Sequence, residues 1–255
     1  MHVLITKQEI FMRNIKLTIE YDGSRYKGWQ QSGKTSNSGT ISEKITDVLQ
    51  LMTNETIELY CSARTEAGVH AASQIANFKT NCSLPVCEMK DYLNHYLPQD
   101  IVVLSIEEMP DRFHAGLNAK TQTYLYRIQI GQISDVFRRR YTLHQTQMPD
   151  FEAIQNAIPY LLGKHDFSAF SSGKKKKGTE KEIFSIDLTR REDEIIFLMT
   201  GNHFLHLMPR TIIAVLLDIG YHNRPADCIQ KIFAKEETAS NPAPPHGLYL
   251  KEITL

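Results

Sequence analysis

Period-two alternation of apolar and polar residues recurs in both halves of this chain, each time near an amphipathic helical pattern. Few folds satisfy both. Leu17 and Ile19 alternate with Lys16, Thr18 and Glu20 up to Tyr21, as in a strand with one buried face. Residues 57–61 repeat the pattern, and residues 74–79 follow as a second, less regular strand. Further on, Tyr124, Tyr126, Ile128 and Ile130 alternate with Leu125, Arg127 and Gln129, and residues 183–188 and 195–199 read as paired strands. Between these runs, Thr40 and Glu43 form a capping box for a helix whose Ile41, Ile45, Val48, Leu49 and Met52 share one face. Tyr92, Leu93, Tyr96 and Leu97 predict another short helix. Asp150 caps a helix carrying Phe151, Ile154, Ile158, Leu161 and Leu162, which Pro159 should kink or tighten. Residues 211–219 form a strongly apolar helix. The similar order in each half predicts an α+β fold of two related halves. We place the division near Asp111, giving segments 12–110 and 111–255, with 1–11 an N-terminal extension and Met12 an alternative start.

The stretch Arg64-Thr65-Glu66-Ala67-Gly68-Val69-His70-Ala71 fits no core. It places a cation, a hydroxyl, a carboxylate, a glycine and an imidazole within seven positions, between two predicted strands. A strand end is where a scaffold holds reactive groups. Gly68 permits a tight backbone path after the carboxylate. Arg64, by its nearness, is a candidate ion-pair partner of Glu66.

Composition narrows the class of function. With 29 basic and 29 acidic residues the net charge is zero, so global charge does not announce a nucleic-acid binder. Its distribution is more informative: twelve Lys/Arg stand against seven Asp/Glu from Asp111 to Glu182, including Arg138-Arg139-Arg140 and Lys174-Lys175-Lys176-Lys177. The lysine run lies between Gly173 and Gly178, as a surface loop that is either solubilising or a contact for phosphate. Cys61, Cys82, Cys87 and Cys228 lack zinc spacing, so no metal is expected, and a reduced, cytoplasmic protein is. There is no secretory signal pattern, no apolar run long enough for a membrane, no Gly-rich phosphate loop and no G-x-S-x-G. His203 and His206 have no third ligand nearby and read as packing residues.

The 64–71 run resembles the R-T-D-A-G-V-H-A signature of the TruA family of tRNA pseudouridine synthases. The likeness extends from about Lys16 to Leu255. Tyr21-Asp22-Gly23 with Gly28-Trp29-Gln30 resembles Y-D-G…G-W-Q, Leu97-Pro98-Gln99-Asp100-Ile101 resembles L-P-x-D-I, and Tyr124-Leu125-Tyr126-Arg127 resembles Y-x-Y-R. Gly163-Lys164-His165-Asp166-Phe167 with Phe170 resembles G-x-H-D-F-x-x-F. Phe204-Leu205 with Met208 and Arg210 resembles F-L-x-x-M-V-R, and residues 244–250 resemble A-P-x-x-G-L-Y-L.

The resemblance implies two ferredoxin-like subdomains with joined antiparallel sheets, the pseudouridine synthase fold, with a catalytic cleft between them. It implies a homodimer that binds tRNA or other structured RNA and isomerises uridine to pseudouridine, most readily in the tRNA anticodon arm, without a cofactor. Glu66 would be the nucleophile, Tyr124 would stack on the flipped uracil, and Arg210 would orient the carboxylate. Arg64 would take the extruded base's place in the RNA stack, His70 would hold the loop by hydrogen bonds, and the lysine loop would meet phosphate. The chain departs from the pattern at several positions. Glu66 stands for the family's Asp, one methylene longer, which moves the oxygens by roughly 1.3 Å. Gly116 stands for the Arg of F-H-A-R, Lys181 for an arginine, Pro209 for a valine and Ala214 for a helix glycine. A second reading is a homologue that keeps the cleft as an RNA-binding module without the chemistry; the carboxylate position separates the two.

Overall fold

The computed structural model describes residues 12–30, 39–172 and 178–255. The elements run β1 (Arg13–Tyr21), α1 (Ile41–Thr53), β2 (Tyr60–Cys61), β3 (His70–Thr80), α2 (Val86–Tyr96), β4 (Ile101–Met109), α3 (Ala115–Asn118), β5 (Thr121–Ile130), β6 (Leu143–Gln145), α4 (Phe151–Ala157), β7 (Gly163–Asp166), β8 (Glu180–Arg191), β9 (Glu194–Gly201), α5 (Met208–Gly220), α6 (Cys228–Phe233) and β10 (Leu248–Thr254). This is a mixed α+β fold with one large, mostly antiparallel sheet in the order β4-β1-β3-β10-β5-β9-β8-β7. β2 lies beside β3, and β6 lies parallel to β5.

Alternation explains the strands. Ile15, Leu17, Ile19 and Tyr21 of β1 are buried, as are Tyr124, Tyr126 and Ile128 of β5. The helices start where side chains satisfy orphan backbone N–H groups. Thr40 Oγ1 accepts from the N–H of Glu43, and the Glu43 carboxylate accepts from the N–H of Gly39 at 2.7 Å. Asp150 caps α4 through Ala153 N–H. The α-helix ends at Ala157 and the chain tightens into a 3₁₀ turn over Ile158–Leu161, as Pro159 requires. In α5, Ile212, Ile213, Val215, Leu216 and Ile219 are almost wholly buried. Each contributes about 1.5–3 kcal/mol of apolar burial.

Two strands differ from the sequence expectation. The run 57–61 forms ladder pairs only at Tyr60 and Cys61. β3 offers one free edge beyond β1; β10 occupies its start at His70 and Ala71, and β2 pairs farther along it at Asn77 and Ala76. The second strand begins at His70 rather than Gln74.

The join between the halves decides where the site lies. β10, from the C-terminus, pairs parallel with β3 through Tyr249–His70 and Leu250–Ala71, and antiparallel with β5 along its other edge. The joint itself is therefore a short parallel ladder inside a mostly antiparallel sheet. It brings the turn before β3 to the start of α5. Among the described residues, no helix is long and apolar enough to cross a membrane.

Candidate active site

Residues 62–69 leave the sheet between β2 and β3 and return through a turn closed by the N–H of Val69 on the carbonyl of Glu66, 3.1 Å. Gly68 takes φ +77° at the third position of that turn, a conformation that costs a side chain about 1–2 kcal/mol. Gln74, wholly buried, straps the loop by donating to Ala63 O at 2.6 Å and accepting from Ala63 N–H at 3.3 Å. Tyr21 and Thr65 exchange a buried hydroxyl hydrogen bond of 2.7 Å, and Trp29 N–H donates to Thr65 O at 3.0 Å.

Gly28, at φ +91°, presses directly on the loop backbone: a Cβ there would lie 2.6 Å from Thr65 O and 3.0 Å from Glu66 C. Gly28→Ala is expected to destabilise the fold by about 2 kcal/mol through left-handed strain alone, with more from the backbone clash. Urea unfolding of the variant measures it; an unchanged midpoint would contradict the contact.

The loop ends in a carboxylate gripped on both oxygens. Glu66 Oε1 accepts the N–H of Leu207 at 2.7 Å, and Oε2 meets a guanidinium nitrogen of Arg210. Leu207 is the N-cap of α5 and sits at φ +65°, an unusual conformation for a leucine. That strained residue aims an orphan helix N–H at the carboxylate, so Glu66 rests on the positive end of α5 as well as on an arginine. Arg210 is fixed in turn: its Nε donates to Ala243 O at 2.5 Å, and its own carbonyl accepts from Ala243 N–H.

Beside Glu66 opens a cleft of about 1120 Å³. Tyr124, on β5, lines it and packs edge-on against Phe204, with centroids 5.1 Å apart. The Tyr124 hydroxyl has no hydrogen-bond partner among the described residues. Burial, with the charges of Tyr21 and Glu66 nearby, holds its pKa well above that of an ordinary phenol, so it stays protonated. Among the described lining residues Glu66 is the only carboxylate, whereas Lys27, Arg64 and Lys181 supply three cations. Cys61 also lines the cleft, but burial pushes its thiol up to about 12, so it is no thiolate nucleophile.

The expected residues fall as follows. Glu66, Tyr124 and Arg64 line one cleft; Arg210 stands behind Glu66 rather than in it. Arg64 is exposed and does not pair with Glu66, whose partner is Arg210. Lys174, Lys175, Lys176 and Lys177 lie outside the described residues. No group of three metal-ligating side chains occurs among the described residues. His203 contacts Gln122 at 3.2 Å, and His206 contacts Ser172 at 2.7 Å.

The tRNA pseudouridine synthase family model matches residues 17–117 and 157–254. The chain belongs to that family. It is 40% identical over 245 residues to tRNA pseudouridine synthase A 2 of Bacillus cereus, covering 95% of this chain and 99% of that protein. It is 40% identical to tRNA pseudouridine synthase A of Acetivibrio thermocellus over the same shares of each chain. It is 42% identical over 246 residues to tRNA pseudouridine synthase A 1 of Clostridium tetani, with 95% and 99% coverage.

Against the family pattern, Gly116 has a local reason. A Cβ there would approach Cys61 O to 3.0 Å, so the arginine of F-H-A-R would have to push the β2 backbone aside. His70 is buried and joins four segments. Its Nδ1 lies 3.1 Å from both the Gly23 N–H and Asp22 Oδ1, and its Nε2 faces Arg140 O at 3.0 Å and His246 O at 3.2 Å. Tyr249 stacks on the ring, and Tyr141 donates to Asp22 beside it. Burial lowers the His70 pKa, outweighing Asp22, which raises it. The folded state thus keeps this histidine neutral where the unfolded chain, at about 6.5, takes up a proton. Stability is complete above that pH and is lost as pH falls toward the lower folded value. His203 and His246 shift the same way, both through burial first. The melting temperature is expected to drop between pH 7.5 and 5.5, with a shallower drop in His70→Asn; calorimetry across that range checks it.

Proposed function

We propose that this protein isomerises uridine to pseudouridine in tRNA, in the anticodon arm. The observation that carries the reading is the double grip on Glu66 at the edge of a cation-lined cleft that Tyr124 also lines. Glu66 is the nucleophile, attacking the sugar or the base of an extruded uridine. The N1–C1′ bond breaks, the uracil turns in the pocket, and the C5–C1′ bond forms. The proton leaves C5 and N1 gains one, so the reaction is balanced without a cofactor. Tyr124 offers an aromatic face under the pyrimidine, worth about 1–3 kcal/mol per stacked base. Arg210, which does not line the cleft, is a positioning residue. It keeps the carboxylate aligned. Arg64, exposed at the rim, fills the gap that the extruded base leaves in the stack. Gly68 and His70 hold the loop.

A cleft kept only for binding RNA would need no arginine and no strained main-chain N–H devoted to one carboxylate, so the double grip argues for retained chemistry. Family resemblance supports a homodimer whose RNA contacts cross both copies, and a division near Asp111 into segments 12–110 and 111–255. The four free cysteines support a reduced cytoplasm. The test is mass-spectrometric mapping of pseudouridine after incubation with bulk cellular RNA. New pseudouridine in tRNA anticodon arms is the expected result. Pseudouridine elsewhere would move the substrate, and none at all would overturn the activity.

A further inference from the structure

Away from the Glu66–Arg210 pair, one stretch of the cleft wall carries an unusual set of donors. Gln122, on β5, is almost wholly buried. Its Nε2 donates to Ser62 O at 3.2 Å, which fixes the amide's orientation, and the same nitrogen meets His203 Nδ1 at 3.2 Å. Nδ1 is therefore the acceptor, and the imidazole proton sits on Nε2. That N–H has no partner among the described residues, and His203 lines the cleft. Lys181, on β8, lines the same wall close enough to act on the His203 charge. It makes no ion pair among the described residues, although its neighbours in the strand, Glu180 and Glu182, are acidic; Glu180 is taken by Lys164. Burial and Lys181 both lower the His203 pKa, so the imidazole remains a neutral donor at pH 7.

We propose that His203 and Lys181 form a phosphate subsite that holds a phosphodiester next to the target nucleotide, with Gln122 setting the imidazole tautomer. The inference rests on the RNA substrate proposed above. One cation and one oriented N–H, both open on the cleft, suit an anionic oxygen better than a base carbonyl, which would leave the ammonium uncompensated. The two groups should leave different signatures. Lys181 carries charge and releases a counterion on binding, whereas neutral His203 contributes a hydrogen bond alone.

The test uses a tRNA in which the wild type forms pseudouridine. Lys181→Gln is expected to weaken binding and to lower the slope of log K against log salt by about 0.8. His203→Ala should weaken binding about fivefold with the slope unchanged, and His203→Asn, which keeps a polar side chain, guards against misfolding. A methylphosphonate at either phosphate flanking the target uridine should weaken the wild type and leave Lys181→Gln no weaker than it already is. Unaltered affinity in both variants, or an equal methylphosphonate penalty in wild type and variant, overturns the subsite. Pseudouridine formation by the wild type in the same samples reports separately on the catalytic reading.

Discussion

Glu66→Ala should reduce pseudouridine formation by at least about 10³-fold, roughly 4 kcal/mol in barrier. The reason is both chemical and positional. Among the described lining residues of the cleft no other carboxylate is available, Cys61 is held as a neutral thiol, and the Tyr124 hydroxyl is kept protonated. None of these described neighbours can take over the role proposed for Glu66. Glu66→Gln keeps the shape and removes the charge. The amide oxygen still accepts the Leu207 N–H, but Arg210 loses its anionic partner, so the variant should fold with a Tm lowered by several degrees, as in Arg210→Gln, and yield no product. Glu66→Asp restores the family residue and should preserve or raise turnover. It draws the oxygens back by roughly 1.3 Å, a distance that the 62–69 loop must absorb. Single-turnover assays on tRNA, with folding followed by circular dichroism, measure all three. Equal turnover by wild type and Glu66→Ala would discard the assignment.

Arg210→Gln should combine a loss of rate with a loss of stability. The pair is largely buried, the two side chains being 14% and 12% exposed. Removing the cation leaves the Glu66 charge with one N–H and strips Ala243 O of its donor. Breaking a buried pair costs about 3 kcal/mol or more. In a chain of this size each kcal/mol lowers Tm by about 2–4 °C, so a fall of about 6–12 °C is expected. The carboxylate also loses its alignment, and a 1 Å misplacement costs about 100-fold. Because Arg210 lies behind the carboxylate, kcat should fall while KM for tRNA stays within about threefold, the signature of an interaction spent on the transition state. Arg210→Lys should recover only part of each effect, since a lysine cannot span Glu66 and Ala243 with a planar fork. A rise in KM with kcat intact would show that Arg210 binds RNA directly.

The candidate reactive residues stood out in the sequence because they are concentrated. A cation, carboxylate, glycine and imidazole in seven positions between two strand patterns mark a site before any fold is known. The strands expected at 16–21 and 124–130 from alternation lie within β1 and β5, and the helices capped by Thr40 and Asp150 form, because those signals are local. The partner of Glu66 was not legible from spacing alone. Arg64 is two residues away and Arg210 is 144 away, yet only Arg210 makes the ion pair. Leu207 gave no signal at all, since a backbone N–H and a positive φ leave no trace in side-chain identity. The Gln122 contact of His203, across 81 residues, was likewise not legible.

The sequence by itself determined the local elements, the reactive loop and the family, all of which depend on residue type and short-range period. Which groups face one another was decided by tertiary structure. Two residues of β10 inserted beside β3 and β5 carry the Glu66 turn to the N-terminus of α5. Contacts across such sequence distances are set by strand order and register, and a single chain's residue pattern does not encode either one locally.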